Sequence, residues 1–202
     1  FLNSYANPGH EEQLAKLIRE QFTGIFVTHS AEVTREFREY ERATTTTLSA
    51  YVQPVIDSYI SRLEQELKNR GYRRNFSIMQ SNGGRLPTEG ISRNAITSLY
   101  SGPAAGVMGA VRQAGISGFT DIITLDMGGT STDVCLIRDG QPDLSTETEI
   151  NGLPVRTPVI DIATIGAGGG SIIWVDDGGM LRVGPESTGA DPGPACYGAG
   201  GV

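Results

Sequence analysis

The sequence predicts an α/β fold in which a helical, charged N-terminal part precedes a glycine-rich mixed β-sheet region. Three observations carry that reading. Apolar residues recur every three or four positions in the long stretch before Gly71, as an amphipathic helix requires. Short apolar runs bounded by glycines dominate after residue 118. The glycines themselves divide, with 6 before residue 102 and 21 from there on. Charge divides at nearly the same place: residues 1–118 carry 13 basic and 11 acidic groups, residues 119–202 only 3 against 12. Two segments are therefore expected, 1–118 and 119–202.

Taken in order, His10 to Phe22 places Leu14, Leu17, Ile18 and Phe22 at helical spacing behind the breaker Asn7-Pro8-Gly9, and Gly24 follows. Ile25-Phe-Val-Thr28 reads as a short strand ending at His29, a lone histidine better explained as a hydrogen-bonded structural residue than as a catalyst. From about 45 to 70, Leu48, Val52, Ile56, Ile60, Leu63 and Leu67 predict one long helix bent at Pro54, with Gly71 as its C′ residue. Thr44 to Thr47 read as a capping tract at its start, preferred over a hydroxyl-rich substrate site. Asn75 to Gln80 reads as a strand running into Ser81-Asn-Gly-Gly84, which is either a tight turn or a strand-end loop facing a cleft.

A helix over about 102–114 follows, with Pro103 near its first position and Gly115 closing it. Its tiny residues Ala104, Ala105, Gly106, Gly109 and Ala110 permit close approach by another helix or by a ligand. Asp121 to Leu125 and Val134 to Ile137 are apolar strands flanking Asp126-Met-Gly-Gly-Thr-Ser-Thr-Asp133. Further on, Ile172 to Val175 and Met180 to Val183 read as a hairpin about Asp176-Asp-Gly-Gly179.

Composition narrows the functional classes. A chain of 202 residues with 38% apolar residues has the makings of a globular core. It holds no apolar run of membrane-spanning length and no signal-peptide pattern, so no membrane partner and a cytoplasmic location are expected. Two cysteines and two histidines give no zinc spacing. The acidic second half disfavours nucleic acid, whose phosphate backbone it would repel. Phe1 at the start, and Ala199-Gly-Gly-Val202 in mid-glycine run at the end, read as a segment of a longer protein.

Chemistry concentrates in the turn from Asp126 to Asp133. Gly128 and Gly129 leave no side chain in the way of an anion, successive N–H groups there can form an anion-binding nest, and Thr130, Ser131 and Thr132 add hydroxyls. Asp126 at the strand end suits the water shell of Mg²⁺. The competing reading is a plain Gly-Gly hairpin. Two commoner nucleotide motifs are absent: the only lysines are Lys16 and Lys68, so no Walker loop exists, and Gly166-Ala-Gly-Gly-Gly-Ser171 places serine where G-x-G-x-x-G needs its third glycine. Cys196, behind Pro192 and Pro194 in a glycine-rich turn and with no histidine after it, lacks a visible base, and Cys135 within a strand reads as core.

Leu125 to Val134 resembles the second phosphate loop of the actin, sugar kinase and heat-shock chaperone ATPase superfamily, and the helix from Ser101 resembles the small-residue crossing helix that precedes it there. Within that superfamily the chain resembles the hydantoinase A and 5-oxoprolinase family, which includes subunits of ATP-dependent ketone carboxylases. Four blocks carry this: Tyr5-Ala-Asn-Pro8; Met79 to Gly84 with Ser101 to Gly106; the phosphate loop; and Gly166 to Ser171 through Gly189-Ala-Asp-Pro-Gly-Pro-Ala-Cys-Tyr-Gly198.

The resemblance implies part of an actin-like (ribonuclease H-like) ATPase fold and ATP-dependent opening of a cyclic amide, a hydantoin or 5-oxoproline, through phosphorylation of its carbonyl oxygen. It implies ATP and Mg²⁺ as cofactors and a partner subunit or domain of the hydantoinase B type. Asp126 and Asp133 become the catalytic acids, with Asp126 and Asp161 toward the metal. Gly128, Gly129, Thr130, Ser131 and Thr132 become nucleotide contacts, with Gly168, Gly169 and Gly170 flooring the site. A kinase or ketone carboxylase subunit on the same fold, and a nucleotide-sensing or scaffolding module, are the alternatives. No second Asp-x-Gly-Gly-Thr occurs in residues 1–118, so this chain alone is expected to turn over ATP weakly or not at all.

Overall fold

A computed structural model describes residues 1–201. Helices and antiparallel sheets form two compact units, one of 1–105 with Leu144–Ile160, the other of Gly106–Asp143 with the chain from Asp161 onward. The division differs from a single cut at 118/119, because Leu144–Ile160 is recruited back to the first unit by hydrogen bonds described below.

In the first unit α1 spans Gly9–Gln21, with Glu11 and Glu12 in its first turn where the helix dipole favours acids. The segment Ile25 to Thr28 is not a strand: no neighbouring segment offers it a ladder, and it runs extended into the one-turn helix α2, Ser30–Val33. The long helix α3 covers Glu39–Asn69 and is continuous through Pro54. It ends as expected at Gly71, whose N–H bonds the Lys68 carbonyl (3.0 Å) while that of Tyr72 bonds Leu67 (2.9 Å), with Gly71 at φ 85°.

The helix starts five residues before the threonine tract, with Arg38 at the N-cap, so Thr44 to Thr47 do not cap it. They join it to a distant segment instead. Thr45, fully buried, donates to the Glu41 carbonyl (2.6 Å) and accepts from the Arg156 N–H (2.9 Å), and Thr44 donates to the Pro154 carbonyl (2.6 Å).

Strands β1 (Ser77–Met79) and β2 (Arg85–Pro87) pair antiparallel across Ser81 to Gly84. Of the two readings of that segment, the tight turn is the one observed: Gln80 N–H bonds the Gly84 carbonyl and Gly83 takes φ 81°. Helix α4 is Thr88–Arg93 and α5 is Ser101–Ile116. The left-handed residue closing α5 is Gly118 (φ 84°), not Gly115: Phe119 N–H reaches the Ala114 carbonyl (3.0 Å) and Gly118 N–H that of Gly115 (3.1 Å).

The second unit is built on β3 (Ile122–Met127) and β4 (Thr132–Arg138), extended by β5 (Gln141–Pro142). In the first unit lie β6 (Leu144–Ser145), β7 (Thr148–Ile150), β8 (Leu153–Val155) and β9 (Val159–Ile160). Then β10 (Ala163–Ile165) joins the far edge of β4, giving the order β10-β4-β3, and β11 (Ser171–Val175) pairs with β12 (Leu181–Ser187) in the expected hairpin. Every pairing among the described residues is antiparallel, so the sheet region is not mixed. For the pairs joined by short turns, β1–β2, β3–β4, β4–β5, β7–β8 and β11–β12, nothing else is possible, since a parallel pair needs a crossover of a dozen residues or more.

Alternation along β3 and β4 puts Thr124, Cys135 and Ile137 on the better-covered face with Asp126 and Asp133 at its turn end. Ile123, Leu125, Met127 and Leu136 lie on the opposite, exposed face.

Candidate functional site

Asp126 and Asp133 face each other on one rung of the β3–β4 ladder, followed by the rung of Met127 and Thr132, so the turn proper is Gly128 to Ser131. One hydrogen bond closes it, from Gly128 N–H to the Ser131 carbonyl (2.9 Å). The carbonyls of Gly128 and Gly129 are bonded from outside the turn, by Gly169 N–H (2.9 Å) and Gly170 N–H (2.7 Å). The N–H groups of Gly129, Thr130 and Ser131 make no hydrogen bond among the described residues. The Gly129 and Thr130 amides, whose preceding carbonyls are tied back, and the free Ser131 amide beside them form a concentration of positive partial charge of the kind that can hold an anion.

Neither Gly128 nor Gly129 is in the left-handed region. A methyl group on them would meet only the Ser131 carbonyl at 3.5 Å and the Tyr197 hydroxyl at 3.7 Å, which is ordinary contact. The fold therefore does not demand glycine at either position. What glycine provides there is an open approach to the amides.

Asp126 is exposed and its carboxylate accepts no hydrogen bond among the described residues. It borders α5 at Gly106, where an added methyl would lie 3.8 Å from Oδ2, so one of the tiny residues of that helix does sit at the site. Asp133 Oδ1 accepts from the Thr164 hydroxyl (2.7 Å), on the adjoining strand of the same rung. Asp161 is not brought to these two: it lies three residues before Thr164, beyond the start of β10, where its charge, after burial and together with that of Asp143, helps raise the Cys135 thiol pKa. That buried thiol is core, as expected, while Cys196 is exposed.

Two further expectations meet committed groups. Thr132 is buried and its hydroxyl donates to the Ala167 carbonyl (2.5 Å), which leaves it no donor for a ligand. The amides of Gly169 and Gly170 bond the turn, and that of Gly168 bonds Ser171 Oγ (2.8 Å), so the second glycine block offers no free N–H at those positions. Thr130 is exposed and Ser131 half-buried in the turn, and neither hydroxyl makes a hydrogen bond among the described residues.

Sequence reasoning missed Tyr197, whose hydroxyl lies over Gly129. No letter pattern announces it; the structure shows the close fit, with Gly193 at φ 71° and an added methyl there only 2.5 Å from Tyr197 Cδ2.

A cavity of about 460 Å³ lies in the first unit, lined by Leu14, Ile18 and Ala43 with Glu11, His29 and Arg42. Its charges hold chain segments together. Glu11 accepts from the Ser30 hydroxyl (2.9 and 2.8 Å) and from the Ala31 N–H (3.1 Å), which tie α1 to α2. Arg42 donates to the Glu36 and Phe1 carbonyls at 2.8 and 2.9 Å. His29 departs from expectation, for its Nδ1 has no hydrogen-bond partner and stands 3.8 Å from Glu11.

A strand, a glycine turn with unbonded amides and a returning strand with an acid on each side make a turn of the kind that can hold an anion. The particular family follows from comparison: the Hydantoinase/oxoprolinase family model matches residues 42–202, and the chain belongs to that family. It is 40% identical over 202 residues to caprolactamase subunit alpha of Pseudomonas jessenii, covering all of this chain and 29% of that one. It is 37% identical over 203 residues to a 5-oxoprolinase of Saccharomyces cerevisiae, covering all of this chain and 15% of that one.

The crystal structure of the ATP-dependent caprolactamase from P. jessenii superposes with a TM-score of 0.85 at 40% identity, over 98% of this chain and 29% of that chain. A nucleotide-free acetone carboxylase structure gives 0.69 at 28% identity, over 92% and 27%. The chain thus spans under a third of these relatives. No helix among the described residues is long and apolar enough to cross a membrane.

Proposed function

We propose that the Gly128–Ser131 turn holds the phosphates of ATP, and that the protein carrying it opens a cyclic amide by phosphorylating the amide carbonyl oxygen. The observation that carries this is the set of three successive unbonded amides at Gly129, Thr130 and Ser131. Amides aimed at the place where charge develops stabilise phosphoryl transfer without reorganising, and such transfer needs positioning and charge neutralisation more than covalent help. In the reaction the bond from the γ-phosphorus to its bridging oxygen breaks and a bond to the amide oxygen forms. Water then adds to the activated carbon, and loss of phosphate and cleavage of the C–N bond open the ring.

Within this chain the turn amides and the hydroxyls of Thr130 and Ser131 bind the phosphates, Asp126 borders them, and Asp133, fixed by Thr164, supports the ladder end. Mg²⁺ fits the donor set. Asp126 with Asp133 opposite supplies one or two carboxylates, which is how Mg²⁺ is held beside phosphates and waters. Among the described residues no group of three or more His, Cys, Asp or Glu forms a cage, so the ion would arrive with the nucleotide. It would neutralise phosphate charge.

The actin-like two-lobed architecture, the partner subunit of the hydantoinase B type and the cytoplasmic location belong to this proposal. Relatives named caprolactamase subunit alpha and 5-oxoprolinase support the cyclic amide over a ketone as acceptor. The test is ATP-dependent phosphate release by the full-length protein, offered caprolactam, hydantoin, 5-oxoproline, or a ketone with bicarbonate. Stimulation by a cyclic amide, lost in Asp126→Ala, is expected; stimulation only by ketone and bicarbonate moves the assignment to a carboxylase, and none by any leaves a nucleotide-binding module.

A further inference from the structure

Steric demand for glycine is absent from the turn and concentrated behind it. A methyl group on Gly168 would stand 2.7 Å from each of three backbone atoms of the turn, the Gly128 carbonyl oxygen and the Thr130 and Ser131 nitrogens. On Gly170 it would stand 3.0 Å from the Gly129 carbonyl oxygen. Neither residue is in the left-handed region, so closeness, not backbone conformation, disfavours a side chain: to the turn at Gly168, and at Gly170 to the turn and to the Thr188 and Ser187 hydroxyls, 3.0 and 3.1 Å from the added methyl.

The bonds made across that contact have a defined electrical result. Gly169 N–H takes the Gly128 carbonyl and Gly170 N–H the Gly129 carbonyl. In a trans peptide the C=O of one residue and the N–H of the next point in opposite directions. Anchoring the Gly128 and Gly129 carbonyls to the segment behind therefore turns the Gly129 and Thr130 amides away from it, toward the open side. The Thr132 hydroxyl bond to Ala167 ties the same segment to the strand at the turn's exit.

We propose that residues 166–171 are a positioning element that orients the phosphate-binding amides without itself touching the nucleotide, an inference that rests on the reading of the Gly128–Ser131 turn as a phosphate site. Gly168, Gly169 and Gly170 are positioning residues. They set which pole of each peptide dipole faces the ligand, and Gly168 is required because any side chain would lift the turn off its support.

Amide hydrogen exchange and ¹H–¹⁵N spectra of the full chain, with and without millimolar Mg·ADP, test this. Without nucleotide, Gly169 and Gly170 amides are expected to be protected while Gly129, Thr130 and Ser131 exchange fast. With Mg·ADP the latter three should shift and slow, and the former two stay unchanged. In Gly168→Ala the shifts at 129–131 should require at least about tenfold more Mg·ADP, a loss of about 1.4 kcal/mol.

Free exchange at Gly169 and Gly170, slowing with Mg·ADP, would make them direct contacts and overturn the positioning role. An undiminished response at 129–131 in Gly168→Ala would also overturn it while leaving the phosphate reading in place. No response at 129–131 in the unaltered chain would remove both. The exchange pattern of the unaltered chain decides the matter even if the variant does not fold.

Discussion

Thr132→Val isolates one bond between the turn's exit and the segment behind it. Thr132 is 4% exposed, and its hydroxyl donates to the Ala167 carbonyl at 2.5 Å. Valine has nearly the same shape and suits a strand flanked by Met127 and Ile165, so pairing is retained. What is lost is one donor, and Ala167 keeps a half-buried carbonyl without its partner.

An ordinary hydrogen bond contributes about 1 kcal/mol, and leaving a buried acceptor unpaired costs about 1–3 kcal/mol. Partial access to water places this case at about 1–2 kcal/mol, or a fall in Tm of about 2–8 °C for a chain of this size. Urea denaturation and scanning calorimetry measure the loss, and titration with Mg·ADP should show affinity falling several-fold as the turn loosens. Thr132→Ser keeps the hydroxyl and should recover most of the affinity. A Thr132→Val protein with unchanged urea midpoint and unchanged affinity would refute the reasoning.

Asp126→Asn should leave the unfolding free energy in urea within about 0.5 kcal/mol, as for an exposed group with no protein partner, yet reduce substrate-dependent ATP turnover by about a hundredfold or more; retained turnover would remove Asp126 from the chemistry. Glu11 accepts from the Ser30 hydroxyl and the Ala31 N–H, so stability should fall as pH falls through the carboxyl range in the unaltered chain and less steeply in Glu11→Gln, whereas parallel curves would contradict the role given to these bonds. Gly118→Ala should cost about 1 kcal/mol through its φ of 84° alone, since nothing lies within 4 Å of the added methyl, while Gly115→Ala inside the helix should be neutral or stabilising by up to about 1 kcal/mol in urea denaturation.

Features set by neighbours in sequence were legible without a structure. The period of α3, the stop at Gly71, the hairpin at Asp176 and the turn between β3 and β4 each depend on a few adjacent residues, and all were found. Features set by distant partners were not. Thr44 and Thr45 have the chemistry of helix caps, and only the return of residues 153–156 to α3 explains why they sit inside the helix.

Ile25 to Thr28 has strand composition but no ladder partner. Gly115 and Gly118 are equivalent as letters, and the carbonyls of Ala114 and Gly115 decide between them. At the site the acids and hydroxyls were legible, whereas the division of labour between two glycine blocks was not. It depends on bonds spanning some forty residues, from Gly169 to Gly128 and from Gly170 to Gly129.

The central claim is that the Gly128–Ser131 turn binds nucleotide phosphates, and calorimetric titration of Mg·ADP into the unaltered protein and Gly129→Val tests it most directly. Backbone conformation at residue 129 does not require glycine, so the variant should fold and melt within about 2 °C of the parent by the usual scale of such surface changes. With its side chain at the mouth of the amides it should bind at least about tenfold more weakly, a difference of about 1.4 kcal/mol. Equal affinity in two equally folded proteins would contradict the account.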